Sequence, residues 1–423
     1  MDAPPIEEVT LGEFLEEAGA YARRIPLEGT IETTFRCNLK CVHCYVNEPA
    51  SARTVREQEL GLPRLKELID EIVDEGCLDL LLTGGEVLLR PDFPELYLHA
   101  VSRGLRVSIY TNGTLVTDRI AELFAAHPPA LVEITLYGMT RETYERVTRV
   151  EGSFDRCLAG IRRLHERGLP LKLKTMVLTW NEHEVAAMRE FARSLGVAFR
   201  HDSLLNPRVD CGAHRDPGLQ VSAERAVAVD LEDPARRSAY QESYRRLSEA
   251  EPDPHQGENV YACGAGQIGF TVDPYGHLQL CQLSRRRSFD LREDRFARGW
   301  HEFFPALRAR KWQSNAVCRR CDLRPVCGSC PGAAEMETGD VEGLVPQFCE
   351  ITHLRTHALL GEASGHRRDA SCCLGGRSGA SRTVPVTAGG CGSCAAPSAE
   401  APLLQIQRRR PEDARARGAS LPR

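Results

Sequence analysis

The stretch Thr33-Thr-Phe-Arg-Cys-Asn-Leu-Lys-Cys-Val-His-Cys-Tyr45 follows a β-rich run at 29–35 and decides how the rest of the chain is read. Cys37, Cys41 and Cys44 stand at C-x3-C-x2-C spacing, so one short loop carries three thiols. Thiolates are soft ligands, suited to iron–sulfur clusters, zinc and copper(I). A structural zinc site closes four positions, often with two well-separated ligand pairs. A four-iron cluster normally takes four cysteines, so three thiolates leave one iron open to a non-protein ligand. The isolated trio therefore suits a cluster better than zinc.

Working outward, strand-like and helix-like stretches alternate. Strand patterns fall at 29–35, 78–82, 105–110, 131–136, 171–178 and 197–200. Helical patterns fall at 62–75, 93–103, 118–126, 154–167 and 184–195, with Leu65, Leu68, Ile69 and Ile72 at core spacing in the first. Six strands alternating with helices imply an α/β fold with a parallel sheet, short of the eight strands of a closed barrel. In such folds the chemistry gathers at the C-terminal ends of strands. The cysteine loop follows the first strand, Thr83-Gly84-Gly85-Glu86 the second, Tyr110-Thr111-Asn112-Gly113-Thr114 the third and Thr135-Leu-Tyr-Gly138 the fourth. Paired glycines permit close backbone approach, and a neighbouring carboxylate can accept from an ammonium group. Taken alone, Gly-Gly-Glu and Asn-Gly are also ordinary turn sequences.

A second cysteine array begins at Cys263. The Asp273-Pro-Tyr-Gly276 turn between two short apolar runs is a hairpin signal, and it would present Cys281 at the end of its second strand. Cys318-x2-Cys321, Cys327-x2-Cys330 and Cys349 complete the array. Two C-x2-C pairs alone suit a zinc ribbon, but seven cysteines exceed the four that one zinc requires.

The cysteine trio, with Asn38 and Leu39 after the first cysteine and His43 before the third, resembles the signature of the radical S-adenosylmethionine (radical SAM) enzymes. The second array resembles their SPASM extension, which holds auxiliary iron–sulfur clusters. The resemblance implies a partial (β/α)6 TIM-like barrel over 27–202, a SPASM domain over 256–360 and a [4Fe-4S] cluster on Cys37, Cys41 and Cys44. SAM would chelate the open iron. Its reductive cleavage would yield a 5′-deoxyadenosyl radical that abstracts hydrogen from substrate. Gly84, Gly85 and Glu86 match the motif that holds the SAM amino group, and Asn112 matches a turn lining the active site. Relatives often place an arginine near Thr148 or Arg149. Tyr137 stands where relatives often carry an aspartate, so no carboxylate role is carried over there. By position, Cys318, Cys321, Cys327 and Cys349 would bind an outer auxiliary cluster, and Cys263, Cys281 and Cys330 an inner one with no evident fourth ligand. One or two auxiliary clusters are thus implied. No side chain is assigned as a catalytic base.

SPASM-type relatives mainly modify peptides and proteins. The first expectation is therefore a maturase of a ribosomally made peptide, served by a reductant such as a flavodoxin or ferredoxin and by a separate peptide chaperone. A tetrapyrrole enzyme of haem biosynthesis and a sulfatase-type maturase are alternatives. Gln282 weighs against the latter, whose members tend to carry an aspartate at that place. A non-catalytic iron–sulfur or zinc protein is the rival from outside enzymology, and the open-site trio argues against it.

Composition bounds these readings. The 423 residues are 42% hydrophobic and 27% charged, with a net charge of −5, a balance without the footprint of nucleic-acid binding. No run reaches the ~18 apolar residues of a membrane span. An acidic start without a signal-peptide pattern leads to a cytoplasmic expectation. Seventeen cysteines there speak for metal or redox work rather than disulfides. Residues 1–26 read as a helical segment with Leu11, Phe14, Leu15 and Ala18 on one face, and 203–255 as a polar linker in which Cys211 is a lone thiol. Residues 361–423 read as a flexible basic tail: ten arginines face five acids over 362–423, and little there could support a core. Its Cys372-Cys373 pair and Cys391-x2-Cys394 are either a redox or metal-binding device or incidental thiols.

Overall fold

Strand β1 (Glu28–Glu32) is the strand on which the sheet is built. On one side of it run β2 (Asp79–Thr83), β3 (Arg106–Thr111), β4 (Leu131–Thr135), β5 (Leu171–Met176) and β6 (Ala198–Asp202), all parallel. The computed structural model describes residues 19–46, 48–209, 216–249, 258–361 and 370, all within one folded unit. The N-terminal helical segment before residue 19, Cys211, and the tail apart from Gly361 and Ala370 lie outside the described residues.

The helices are α1 (Leu62–Asp74), α2 (Phe93–Ser102), α3 (Asp118–Ala126), α4 (Arg141–Thr148), α5 (Ser153–Glu166) and α6 (Val185–Ser194); all but α4, which the sequence reading did not contain, follow the expected order. Thr117 and Thr140 cap α3 and α4, accepting from the N–H groups of Ile120 and Thr143 at 3.3 and 3.2 Å. Such caps satisfy donors that have no partner inside the helix. Every second strand residue (Ile31, Leu80, Leu82, Val107, Ile109, Val132, Ile134, Leu173) is buried in one core with Leu65, Leu68, Ile69, Leu96, Ile161, Leu164 and Met188 of the helices. Strand side chains alternate between faces. The opposite face therefore carries Thr30, Glu32, Ser108, Tyr110, Glu133, Lys172, Lys174 and Arg200.

Two features depart from the sequence reading. The Asp273–Gly276 hairpin forms as expected, with Asp273 Oδ1 accepting from the N–H groups of Tyr275 and His277 at 2.9 Å each. Its strands do not build a separate sheet, however. β7 (Gly269–Val272) pairs parallel to β1, and β8 (His277–Gln279) and β9 (Phe289–Asp290) continue the same sheet antiparallel. The strand order runs from β9 to β6 without closing. Residues 203–255, read as an irregular linker, instead contain α7 (Ala223–Glu232) and α8 (Pro234–Glu249). They pack on the cysteine-rich region, which contributes α9 (Pro331–Thr338) and α10 (Pro346–Leu360). Tyr244 of α8 is buried with its hydroxyl 2.8 Å from Thr356 Oγ1, and Arg355 Nη2 donates to Asp230 Oδ2 of α7 at 2.9 Å. α8 is polar on most of its surface, so composition concealed it. Among the described residues no helix is long and apolar enough to cross a membrane.

Candidate active site

The cysteine loop leaves the C-terminal end of β1 and is pinned to the end of α4, where Thr148 and Val147 carbonyls accept from the Lys40 and Val42 N–H groups at 2.9 and 3.1 Å. Cys41 is buried, and Cys37 and Cys44 are half-buried. Burial first, then the nearby Glu86 carboxylate, pushes the Cys37 thiol up to about 12. Burial pushes Cys41 well above the usual thiol range, and the neighbouring Cys44 and Cys37 add to it. Thiols so reluctant to ionise need a cationic partner, which the irons of a cluster supply as metal binding releases the protons. Among the described residues no three His, Cys, Asp or Glu side chains converge closely enough for a single metal ion. A cubane does not require that convergence, because each thiolate binds a different iron. The donor set fits a [4Fe-4S] cluster.

Neutral donors surround the trio. Asn112 Nδ2 donates to Cys37 Sγ at 3.6 Å and to Asn38 Oδ1 at 2.9 Å. Asn38 Nδ2 in turn donates to Thr114 Oγ1 at 2.8 Å. The Tyr137 hydroxyl hydrogen-bonds Cys41, and its ring meets His43 edge-on at 5.0 Å. Hydrogen bonds to cluster sulfurs tune reduction potential. The sequence reading found Asn112 but not this use of Tyr137, because a tyrosine at an aspartate's place carries no motif signal. His43 is half-buried, and its buried Nδ1 has no hydrogen-bond partner among the described residues. Burial first, then the nearby Lys174 ammonium, lowers its pKa to about 4, so it stands neutral.

Gly84 and Gly85 do lie beside this loop. A Cβ at Gly84 (φ +143°) would meet the Thr34 carbonyl oxygen at 2.2 Å, and one at Gly85 the carbonyl oxygens of Phe35 and Arg36 at 2.5 Å. Gly85 N–H donates to Thr34 O at 2.6 Å and Glu86 N–H to Arg36 O at 2.9 Å. Only glycine lets the two backbones approach so closely. Glu86 departs from the expectation of a carboxylate held open for an ammonium group. It is fully buried and accepts from Leu88 N–H (3.1 Å), Thr111 Oγ1 (2.7 Å) and Asn112 N–H (2.8 Å). Burial nevertheless raises its pKa, against the lowering effect of these bonds. The carboxylate thus ties the end of β2 to the end of β3 and fixes Asn112. Arg149 caps α4 in left-handed conformation (φ 57°), with its guanidinium 5.3 Å from the Trp180 ring.

At the C-terminal end of β1, Glu32 is buried against Arg285, whose Nη1 and Nη2 donate to its two oxygens at 2.9 and 2.8 Å. This pair joins the end of β1 to the segment after Cys281. In the second array, Cys318, Cys321, Cys327, Cys330 and Cys349 line one cavity of about 60 Å³. Burial raises the Cys281 thiol to about 11, with Cys330 and Cys263 close enough to add to it. Cys330 likewise feels Cys263 and Cys327 behind the larger effect of burial. It therefore stands between the two proposed groups. The wider cavity, about 440 Å³, lies between α7, α8 and the Cys327–Gly328 turn.

Fold and site define an iron–sulfur enzyme of the open α/β-barrel class. Residues 31–192 match the radical SAM superfamily. The chain is 30% identical to the AdoMet-dependent heme synthase of Methanosarcina barkeri, over 73% of this chain and 92% of that protein. It is 26% identical to the antilisterial bacteriocin subtilosin biosynthesis protein AlbA of Bacillus subtilis, over 74% and 69%. Streptococcus suis SuiB, solved with S-adenosylmethionine and with the precursor peptide SuiA, has the same fold. The peptide-bound form matches with a TM-score of 0.60 at 15% identity, over 83% of this chain and 84% of SuiB. The chain belongs to the radical SAM superfamily. Members of this superfamily bind a [4Fe-4S] cluster and SAM, and these are its cofactors.

Proposed function

We propose that this enzyme modifies a ribosomally made peptide or a protein. When bound, the reduced cluster and SAM supply the radical that abstracts hydrogen from substrate. Cys37, Cys41 and Cys44 hold the radical-site cluster, while Asn112 and Tyr137 donate to two of its thiolates. Gly84 and Gly85 bring the β2 loop against the cysteine loop, and Glu86 acts through Asn112 as a positioning residue. Cys318, Cys321, Cys327 and Cys349 serve the outer auxiliary cluster, and Cys263, Cys281 and Cys330 the inner one. A one-electron reductant of the flavodoxin or ferredoxin type and a separate peptide chaperone complete the system.

One observation carries the choice of a peptide: the face of the open sheet that bears the cysteine loop is polar. Thr30, Glu32, Ser108, Tyr110, Glu133, Lys172, Lys174 and Arg200 suit the hydrogen-bonding groups of a peptide better than a flat apolar macrocycle. Such a macrocycle calls for mainly hydrophobic and aromatic walls. SuiB, solved with a precursor peptide, and AlbA, a bacteriocin biosynthesis protein, support the same reading. The haem-synthase likeness supports the second reading, action on a tetrapyrrole.

The test is anaerobic turnover of the reconstituted, reduced enzyme with SAM, offered candidate precursor peptides and coproporphyrin III in parallel. A peptide mass change with matching 5′-deoxyadenosine is the expected result. A product on the porphyrin alone would overturn the peptide reading.

A further inference from the structure

The polar face of the sheet holds an uneven group of charges away from the cysteines. Glu133 of β4 is fully buried, with a side-chain exposure of 0%. Arg200 of β6 grips it with Nε at 2.7 Å from Oε2 and Nη2 at 2.5 Å from Oε1. That bidentate pair already meets what a buried carboxylate needs. Two further cations crowd the same carboxylate from β5: Lys174 Nζ lies 3.4 Å from Oε1 and Lys172 Nζ 3.9 Å from Oε2. Both exceed the usual 2.7–3.2 Å hydrogen-bond range, and each ammonium has three donors to place.

The register explains the crowding. Lys172 and Lys174 are two residues apart on one strand and so share a face. Glu133 pairs with Lys172 across β4–β5, and Lys174 with Arg200 across β5–β6. The Tyr110 ring of β3 lies 4.7 Å from the Lys174 ammonium and 5.8 Å from the Arg200 guanidinium. Asp202, the remaining acid nearby, spends one oxygen on the Leu204 N–H at 3.0 Å. Three cations against these two acids leave one surplus positive charge. The cations also stay partly open, with side-chain exposures of 24% for Lys174, 31% for Lys172 and 38% for Arg200. A network meant only to neutralise Glu133 would not need the lysines. Like charges gathered on one face repel until an anion joins them.

We infer that Lys172, Lys174 and Arg200, held in place by Glu133, form a carboxylate-binding subsite, and that the substrate enters the sheet with a carboxylate docked there. Resting on the peptide reading, this carboxylate is an acidic side chain near the modified residue. Lys174 lies near His43 of the cysteine loop, so a carboxylate held there stands close to the radical site. The propionates of a tetrapyrrole share the same chemistry.

The test uses the reconstituted holoenzyme with SAM, without reductant, so that binding is read without turnover. Immobilised enzyme is offered two random decapeptide libraries, one with Glu and one with Gln fixed at the centre, and retained peptides are quantified by mass spectrometry. Coproporphyrin III is titrated separately by fluorescence. The Glu library should be retained about tenfold over the Gln library, the ratio of one charge-assisted contact. Lys174→Met should abolish that preference and Lys174→Arg should restore it, with SAM affinity and melting temperature unchanged in both. Equal retention of the two libraries, with peptides still bound, overturns the subsite and spares the peptide reading. Porphyrin binding that requires Lys174, with no peptide retained, keeps the subsite and overturns the peptide reading. Loss of SAM binding in Lys174→Met assigns the cations to the cofactor and overturns the proposal. So does failure of every probe while SAM still binds.

Discussion

Glu86→Gln separates a carboxylate that contacts the cofactor from one that holds the site together. The substitution keeps shape and volume but replaces one oxygen by an NH₂ group. One retained oxygen can still serve Leu88 N–H and Thr111 Oγ1, which share Oε1. The Asn112 N–H, now 2.8 Å from Oε2, would face a donor instead. Losing a hydrogen bond to a charged group costs about 1.5–3 kcal/mol, and stranding a buried N–H costs a similar amount. Removing a buried charge offsets part of this, since burial already disfavours the ionised form. A net loss of about 2–3 kcal/mol follows, a drop of roughly 5 °C in melting temperature. The assay is anaerobic thermal unfolding of the holoenzyme beside calorimetric SAM binding without reductant. Thr111→Val should lose part of the same network, so the double variant should fall short of the sum of the singles. SAM affinity should change less than about threefold, because the carboxylate acts through Asn112. Unchanged stability with SAM affinity down tenfold would refute the reasoning and return Glu86 to the cofactor.

Cys41→Ala should abolish SAM cleavage and remove about four irons per chain, leaving the second array loaded; cleavage that persists would show the radical site to lie elsewhere. Arg285→Met strands Glu32, which is 1% exposed, and should cost about 3–5 kcal/mol, the usual penalty for breaking a buried pair, as read by thermal unfolding. The hydrogen bond to Asp273, acting against burial, raises the His277 pKa. Its folded value thus exceeds its unfolded one, so the stabilisation is fully present below the unfolded value and is lost as pH rises through the folded one. His277→Asn should accordingly lower the melting temperature more at about pH 5.5 than at about pH 8.5; equal effects would remove the charged pair from the account.

Much of this protein was legible before folding was considered. The three thiols of Cys37, Cys41 and Cys44 lie within eight residues, so local spacing alone brings them together. The βα units were read from two periods set by backbone geometry, two residues in a strand and 3.6 in a helix. Their observed limits differ from the expected ones by a residue or two at most ends. Helices α7 and α8 were missed because α8 is polar on most of its surface and α7 stands in a stretch of prolines and mixed charges, and what orders them is contact with α10, over a hundred residues later.

Other features exist only in three dimensions. Glu86 reads as a ligand-facing acid in a Gly-Gly-Glu turn, and only the arrival of Thr111 and Asn112 from β3 converts it into a buried tie. The hairpin at Asp273 is local, but its docking beside β1 depends on a free sheet edge that no nearby residue reports. Glu133, Lys172, Lys174 and Arg200 come from three strands spread over 68 residues, each unremarkable where it stands. Parallel register brings them onto one face, because hydrogen-bonded strands pair residues by position in space rather than along the chain. The sequence by itself therefore determined the kinds of element and the iron-binding chemistry. The tertiary structure decided which charges meet, since long-range electrostatics depend on distances that only folding sets.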